Sequence, residues 1–233
     1  MPWESNVQPD ARATPSQLRA VVFDFDGTLV DSYAAITASV NHVRATHDLP
    51  PLPEAEVRKH VGRGPANLLE HTVPAGDAEK DLAEYKAHHP SVLKSGTRLL
   101  PGVTQTLPIL HAHGLRLAVC SNKLRGFTLE LLDIFGLSKL FQAVIGPEDA
   151  PRIKPAPDML LAALHRLGVT RTEALYVGDM VVDIETARSA GVRVWVVTTG
   201  SDDVRTLRAA RPDRIVRDFC ELQTLSTGAH DQT

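Results

Sequence analysis

Cysteine is scarce in this chain, with only Cys120 and Cys220 among 233 residues. That excludes a disulfide-stapled secreted scaffold, and no CxxC pair or Cys/His zinc spacing is present either, so a reduced, cytoplasmic protein is expected. Long apolar runs are missing too. None approaches the about 20 residues a helix needs to cross a bilayer. The opening residues 1–18 are mostly polar, carry Pro2, Pro9 and Pro15, and lack the apolar core of a signal peptide. They read as a disordered lead-in, and residues 227–233 as a flexible tail. There is no long basic run and the formal charge is −3, which argues against nucleic acid or a membrane surface as principal partner and leaves small solutes. No repeat, low-complexity segment or coiled-coil heptad is present, so the sequence assigns no oligomeric state.

What the chain does have is organised around Arg19-Ala20-Val21-Val22-Phe23-Asp24-Phe25-Asp26-Gly27-Thr28-Leu29. A β-branched, apolar run reads as a buried strand and stops at two carboxylates followed by a turn-permitting glycine. In parallel α/β sheets ligands bind beyond the carboxyl ends of the strands, which is where Asp24 and Asp26 fall. A lone Asp after a strand is most often a helix cap or Asx turn. Two facing one cavity repel by about 4 kcal/mol at 4 Å and an effective dielectric of 20, so they call for cations elsewhere in the chain.

Tyr33 to Thr46 carries Ile36, Val40 and Val43 at helical spacing, and Glu54–His60, Pro65–His71 and Ala78–Leu93 read as further helices with no strand between them. Residues 31–98 are therefore expected to form an all-helical cap inserted into a core made of 19–30 and 99–226. From Leu100 onward strands and helices alternate: strand candidates lie at 115–120, 143–146, 174–177 and 192–197, with an edge strand at 215–216. Helices between strands imply right-handed parallel crossovers. The expected fold is α/β, a doubly wound, Rossmann-like parallel sheet carrying the helical cap.

The strand ends repeat the polar theme: Ser121-Asn122-Lys123 after one, Gly178-Asp179 with Asp183 after another, and Lys154-Pro155 in a loop between them. A carboxylate such as Asp24 can attack phosphorus and form an aspartyl phosphate. Asp26 would protonate the leaving alcohol and then activate water, a role suited to a carboxyl of raised pKa. Thr28, Ser121, the backbone around Asn122 and Lys154 are the expected phosphoryl-binding groups. Asp179 would help hold Mg²⁺, with Asp183 in support.

In this order Asp24-Phe25-Asp26-Gly27-Thr28, Ser121-Asn122-Lys123, Lys154-Pro155 and Gly178-Asp179-Met180-Val181-Val182-Asp183 resemble the four motifs of the haloacid dehalogenase superfamily, and the whole looks most like its phosphoglycolate phosphatase branch. The resemblance implies Asp24 as nucleophile, Asp26 as acid/base, and Mg²⁺ held by the Asp24 carboxylate, the Asp26 carbonyl and Asp179. Dehalogenases of that superfamily lack the second aspartate of the first motif, so Asp26 favours a phosphatase. Many relatives have a small hydroxyl residue where Met180 stands.

Val61-Gly62-Arg63-Gly64 resembles the substrate-facing loop of related caps, and Arg63 is the candidate partner for a substrate carboxylate, against a plain interhelical turn. His88, His89, His111 and His113 read as solvated helix positions rather than metal ligands. Cys120 reads as a small buried hydrophobe. The expected activity is hydrolysis of a small phosphomonoester, 2-phosphoglycolate foremost. The alternatives are a pyrophosphatase, a sugar or nucleotide phosphatase, a phosphomutase, or a binding module without catalysis.

Overall fold

Successive side chains of a strand point to opposite faces, so a strand apolar on both faces can be covered on both. In the first strand, β1 (Ala20–Phe23), Val21 and Phe23 join one apolar cluster and Ala20 and Val22 another. The computed structural model describes residues 18–74 and 76–226, so the expected tail at 227–233 and all of the expected lead-in at 1–18 but Leu18 lie outside the described residues; Leu18 is not part of a disordered lead-in, since it is buried in the core.

β1 is the centre of a six-stranded sheet, flanked by β4 (Arg116–Cys120) and β5 (Phe141–Ile145) on one side and by β6 (Ala174–Gly178), β7 (Arg193–Val197) and β8 (Arg214–Val216) on the other. All neighbours pair in parallel. Counted along the core this is the 3-2-1-4-5-6 order of a doubly wound sheet, with its switch of direction at β1. Helices α5 (Val103–Ala112) and α6 (Arg125–Ile134) supply Leu107, Leu110, Leu131 and Leu132 to one face. Helices α7 (Asp158–Leu167), α8 (Val181–Ala190) and α9 (Val204–Ala210) supply Leu160, Leu164, Ile184 and Leu207 to the other.

Between β1 and α5 the chain leaves the core through β2 (Val30–Asp31), builds α1 (Tyr33–Thr46), α2 (Glu54–Arg58), α3 (Gly64–Thr72) and α4 (Ala78–Leu93), and returns through β3 (Arg98–Leu99). β2 and β3 pair antiparallel, a two-residue ribbon whose ends are joined outside by an Arg98–Asp31 ion pair. The four helices have their own apolar centre of Ile36, Val40, Val43, Val57, Leu68, Leu69, Val73 and Tyr85. No helix among the described residues is long and apolar enough to cross a membrane.

His89 departs from expectation. It is fully buried in the cap rather than solvated: its Nδ1 lies 2.8 Å from the Ser39 hydroxyl and its ring packs on Tyr85 and Phe127. Helical spacing puts it on the same face as Tyr85, and that face turns inward. His111 and His113 are exposed, and Cys120 is buried in the sheet.

Candidate active site

A parallel sheet delivers the carboxyl ends of its strands side by side, so the residues after β1, β4 and β6 meet in one place. Asp24 continues β1, its N–H donating to the Val177 carbonyl at 2.8 Å. The chain then turns sharply: Gly27 takes a φ of 85°, and its N–H donates to the Val30 carbonyl at 2.7 Å. A Cβ on Gly27 would lie 2.4 Å from Asp179 Oδ2, and one on Gly200, after β7, only 1.6 Å from it. Both glycines thus wall in the Asp179 carboxylate where no larger residue fits.

Lys154 is the electrostatic centre. Its Nζ lies 2.9 Å from Asp24 Oδ1, 2.7 Å from Asp183 Oδ1 and 3.0 Å from the Tyr176 hydroxyl, and its side chain is 1% exposed. Burial by itself would depress the ammonium, but the charges of Asp183 and Asp24 hold it above its ordinary value. Burial pushes the Asp24 carboxyl up to about 6 against the opposing pull of Lys154, with the Asp183 charge adding to the rise and the Ser121 hydroxyl reducing it. Asp179 is raised well above the usual carboxylate range by burial and by the charges of Asp183 and Asp24.

One oxygen each from Asp24, Asp179 and Asp183 lie within 4.8 Å of one another. Asp179 Oδ1 accepts from the Thr28 hydroxyl at 2.7 Å, while its buried Oδ2 has no hydrogen-bond partner. Crowded, hard, anionic oxygens with one left orphaned are a donor set that a divalent cation satisfies. Asp183 is already engaged on both sides: besides Lys154, its Oδ2 accepts the N–H groups of Asp179 and Met180, each at 3.0 Å. It fixes the loop that carries Asp179.

Asp26 faces the same cavity between two donors. The Ser32 hydroxyl donates to Oδ1, and Lys123 Nζ lies 3.2 Å and 3.3 Å from its two oxygens. The cavity is walled on the core side by Asp24, Asp26, Ser121, Lys123 and Lys154, and on the cap side by Ile36, Val61, Pro65, Leu68 and Tyr85.

The family model described as haloacid dehalogenase-like hydrolase matches residues 21–197. The chain belongs to this hydrolase family. It is 38% identical over 193 residues to the phosphoglycolate phosphatase of Rhodospirillum rubrum, covering 78% of this chain and 80% of that protein. To the phosphoglycolate phosphatase of Caulobacter vibrioides it is 36% identical over 211 residues, 87% of this chain and 88% of the relative. The crystal structure of a predicted phosphoglycolate phosphatase from Haemophilus somnus superposes with a TM-score of 0.85 at 30% identity, covering 91% of this chain and 99% of that one.

Within this haloacid dehalogenase-like enzyme the fold brings Asp24, Asp26, Ser121, Asn122, Lys154, Asp179 and Asp183 to one end of the sheet. Two of the residues expected to bind substrate do not line this cavity. Thr28 donates its hydroxyl to Asp179 and is fully buried beside it, so it supports that carboxylate instead of lining the substrate cavity. Arg63 caps the start of α3 on the outside of the molecule, exposed, in a groove with Lys59, His60 and His71. It does not line the cavity, because its neighbours Gly62 and Gly64 hold that wall.

The Asn122 side chain is also committed to the protein: its amide nitrogen donates to the Gly62 and Lys154 carbonyls and its oxygen accepts the Lys154 N–H. Met180 packs on the cap loop so closely that a Cβ at Gly62 would lie 2.6 Å from its Sδ. Lys123 was read only as part of the polar strand end Ser121-Asn122-Lys123 and was given no role of its own. The available signal was its place two residues after Ser121, just beyond the end of β4.

Proposed function

We propose that the protein is a Mg²⁺-dependent phosphomonoesterase working through an aspartyl phosphate, with 2-phosphoglycolate as substrate. The observation that carries the reading is the buried set of Asp24, Asp179 and Asp183 around Lys154, with the orphaned oxygen on Asp179. The names of the relatives support the choice of substrate. The scarcity of cysteine supports a cytoplasmic setting.

An Asp24 oxygen attacks phosphorus, the phosphorus–oxygen ester bond breaks, and its electron pair stays on the leaving oxygen, which takes a proton from Asp26. Water then attacks the phosphorus of the aspartyl phosphate and gives a proton to Asp26. The bond to Asp24 breaks, and inorganic phosphate leaves. Lys154 and Ser121 neutralise and orient the phosphoryl oxygens, the kind of positioning on which phosphoryl transfer depends. Mg²⁺ held by Asp24 and Asp179, with the Asp26 carbonyl, would supply further charge neutralisation at those oxygens. The cap, residues 31–98, acts as a lid that excludes bulk water while a small substrate is bound.

The test is phosphate release from 2-phosphoglycolate, pyrophosphate, sugar phosphates and nucleoside monophosphates, with Mg²⁺ and with EDTA. Selective, EDTA-sensitive release from 2-phosphoglycolate is expected. Equal release from all substrates overturns the named substrate, and no release with phosphoester conserved points to a mutase. Asp24→Asn lowers turnover by roughly 10³-fold or more with the fold intact by circular dichroism. Retained turnover would remove Asp24 from the nucleophile's role.

A further inference from the structure

Lys123 has an exposure of only 5% for its side chain, yet the protein gives it one anionic partner, Asp26. An ammonium carries three N–H donors, and one carboxylate engages at most two of them. The same cavity is lined by Leu124 and Phe127 from the core, by Leu68 and Tyr85 from the cap, and by the polar Ser121 and Asn122. Among the described residues lining that cavity, Lys154 and Lys123 are the only cations. Lys154 sits against Asp24, Asp183 and Tyr176, at the end of the cavity where the phosphoryl group is bound, and so is not the cation beside the leaving group. The cap's own arginines near the rim are turned elsewhere: Arg63 lies in the outer groove, and Arg58 donates to the Thr199 and Gly200 carbonyls.

We propose that Lys123 is the specificity residue that receives the carboxylate of the substrate, taking the part the sequence pattern suggested for Arg63. This rests on the reading of the enzyme as a phosphatase of a carboxylated phosphomonoester. Asp26 protonates the ester oxygen, so the leaving group lies beside Asp26 and therefore beside Lys123. In 2-phosphoglycolate a single methylene separates ester oxygen from carboxylate, which brings that anion to the spare donor of Lys123. Among the described residues lining the cavity no other cation stands on the leaving-group side, and the apolar wall of the cap opposes an unpaired charge. Discrimination thus comes from a core residue next to the chemistry, and the cap contributes the apolar surroundings that make the single ammonium decisive.

The experiment compares kcat and KM for 2-phosphoglycolate and for 2-hydroxyethyl phosphate, which replaces the carboxylate by a neutral alcohol, in the full-length protein with Mg²⁺. Wild type is expected to prefer 2-phosphoglycolate. Lys123→Met should lower that preference at least tenfold through KM for 2-phosphoglycolate, leaving KM for the neutral ester near its wild-type value, and Lys123→Arg should restore the preference. Lys123→Gln, which keeps length and polarity, replaces the methionine variant should that one fail to fold. A fall by the same factor on both esters overturns the proposal, because Lys123 would then act only through Asp26. A wild type that hydrolyses other phosphomonoesters but not 2-phosphoglycolate overturns the substrate reading itself and this proposal with it.

Discussion

The two walls of the cavity are built on different physical terms. On the core side the side chains are charged and tied down: Lys154 touches three partners, Asp183 has both oxygens engaged, and Thr28 secures Asp179. On the cap side Ile36, Val61, Pro65, Leu68 and Tyr85 present hydrocarbon and an aromatic ring. A rigid ionic wall is preorganised for charge that develops during reaction, while an apolar wall excludes water and strengthens every charge opposite it. The same chemistry can therefore be kept while the choice of leaving group is altered around it.

The walls are also joined. Arg58 of α2 donates to the Thr199 and Gly200 carbonyls at 3.0 Å and 2.6 Å and stacks on Tyr33 with its guanidinium 4.0 Å from the ring centre. The Ser201 hydroxyl donates to Tyr33 at 3.0 Å. Gly200 is the residue that closes on Asp179, so the cap's latch is fastened to the wall of the acidic cluster.

Breaking the core wall should have the largest effect. Lys154→Met leaves the buried carboxylates of Asp24 and Asp183 without their cation and is expected to cost roughly 3–5 kcal/mol of stability, read from denaturant midpoints, together with loss of turnover. An unchanged midpoint would mean the network is not what holds this wall together.

The acidic cluster gives a pH signature of the next size. Asp24 is raised to about 6 from an ordinary 3.8, so its contribution to stability is fully present below 3.8 and is lost as pH rises through about 6. Asp179 shifts in the same direction. A divalent cation relieves that loss, so Mg²⁺ should raise the Tm by on the order of 5 °C at pH 7.5 and hardly at all at pH 5. Equal shifts at both pH values would remove these carboxylates from cation binding.

On the cap, Arg58→Ala should lower kcat/KM by roughly tenfold, as expected for the loss of two charge-assisted hydrogen bonds, with little change in the melting temperature of the core. The smallest effect belongs to Arg63→Ala, which should leave KM for 2-phosphoglycolate within about twofold, because changes at exposed positions away from such contacts are usually small. A large rise in KM for Arg63→Ala alone would show that the loop turns inward during turnover.

Much of the core was readable along the chain. Apolar runs and helix punctuation marked β1, β4, β6 and β7, and helices α1 and α4 fall at their expected residues. The short ribbon of β2 and β3 was not readable, since two residues carry no period and the pair exists only through contact across the whole insert. The inward turn of His89 was missed for a similar reason, and the outward turn of Arg63 was one of two readings that the sequence left open. Helical spacing says which residues share a face, but not which face another element will cover.

By itself the sequence determined the doubly wound core, the helical insert and the acidic strand ends, because these depend on local periodicity and on the rule that parallel strands deliver their carboxyl ends together. Only the tertiary structure decided that Lys154 bridges Asp24 and Asp183, that Thr28 serves Asp179, that Arg58 latches the cap, and that Lys123 shares a cavity with Asp26. Apart from Lys154 with Asp183, those pairings join residues 97 to 151 positions apart, the extremes being Lys123 with Asp26 and Thr28 with Asp179. Which charge meets which is settled when the strands and the cap pack, since burial forces every ion to find a partner that no local pattern announces.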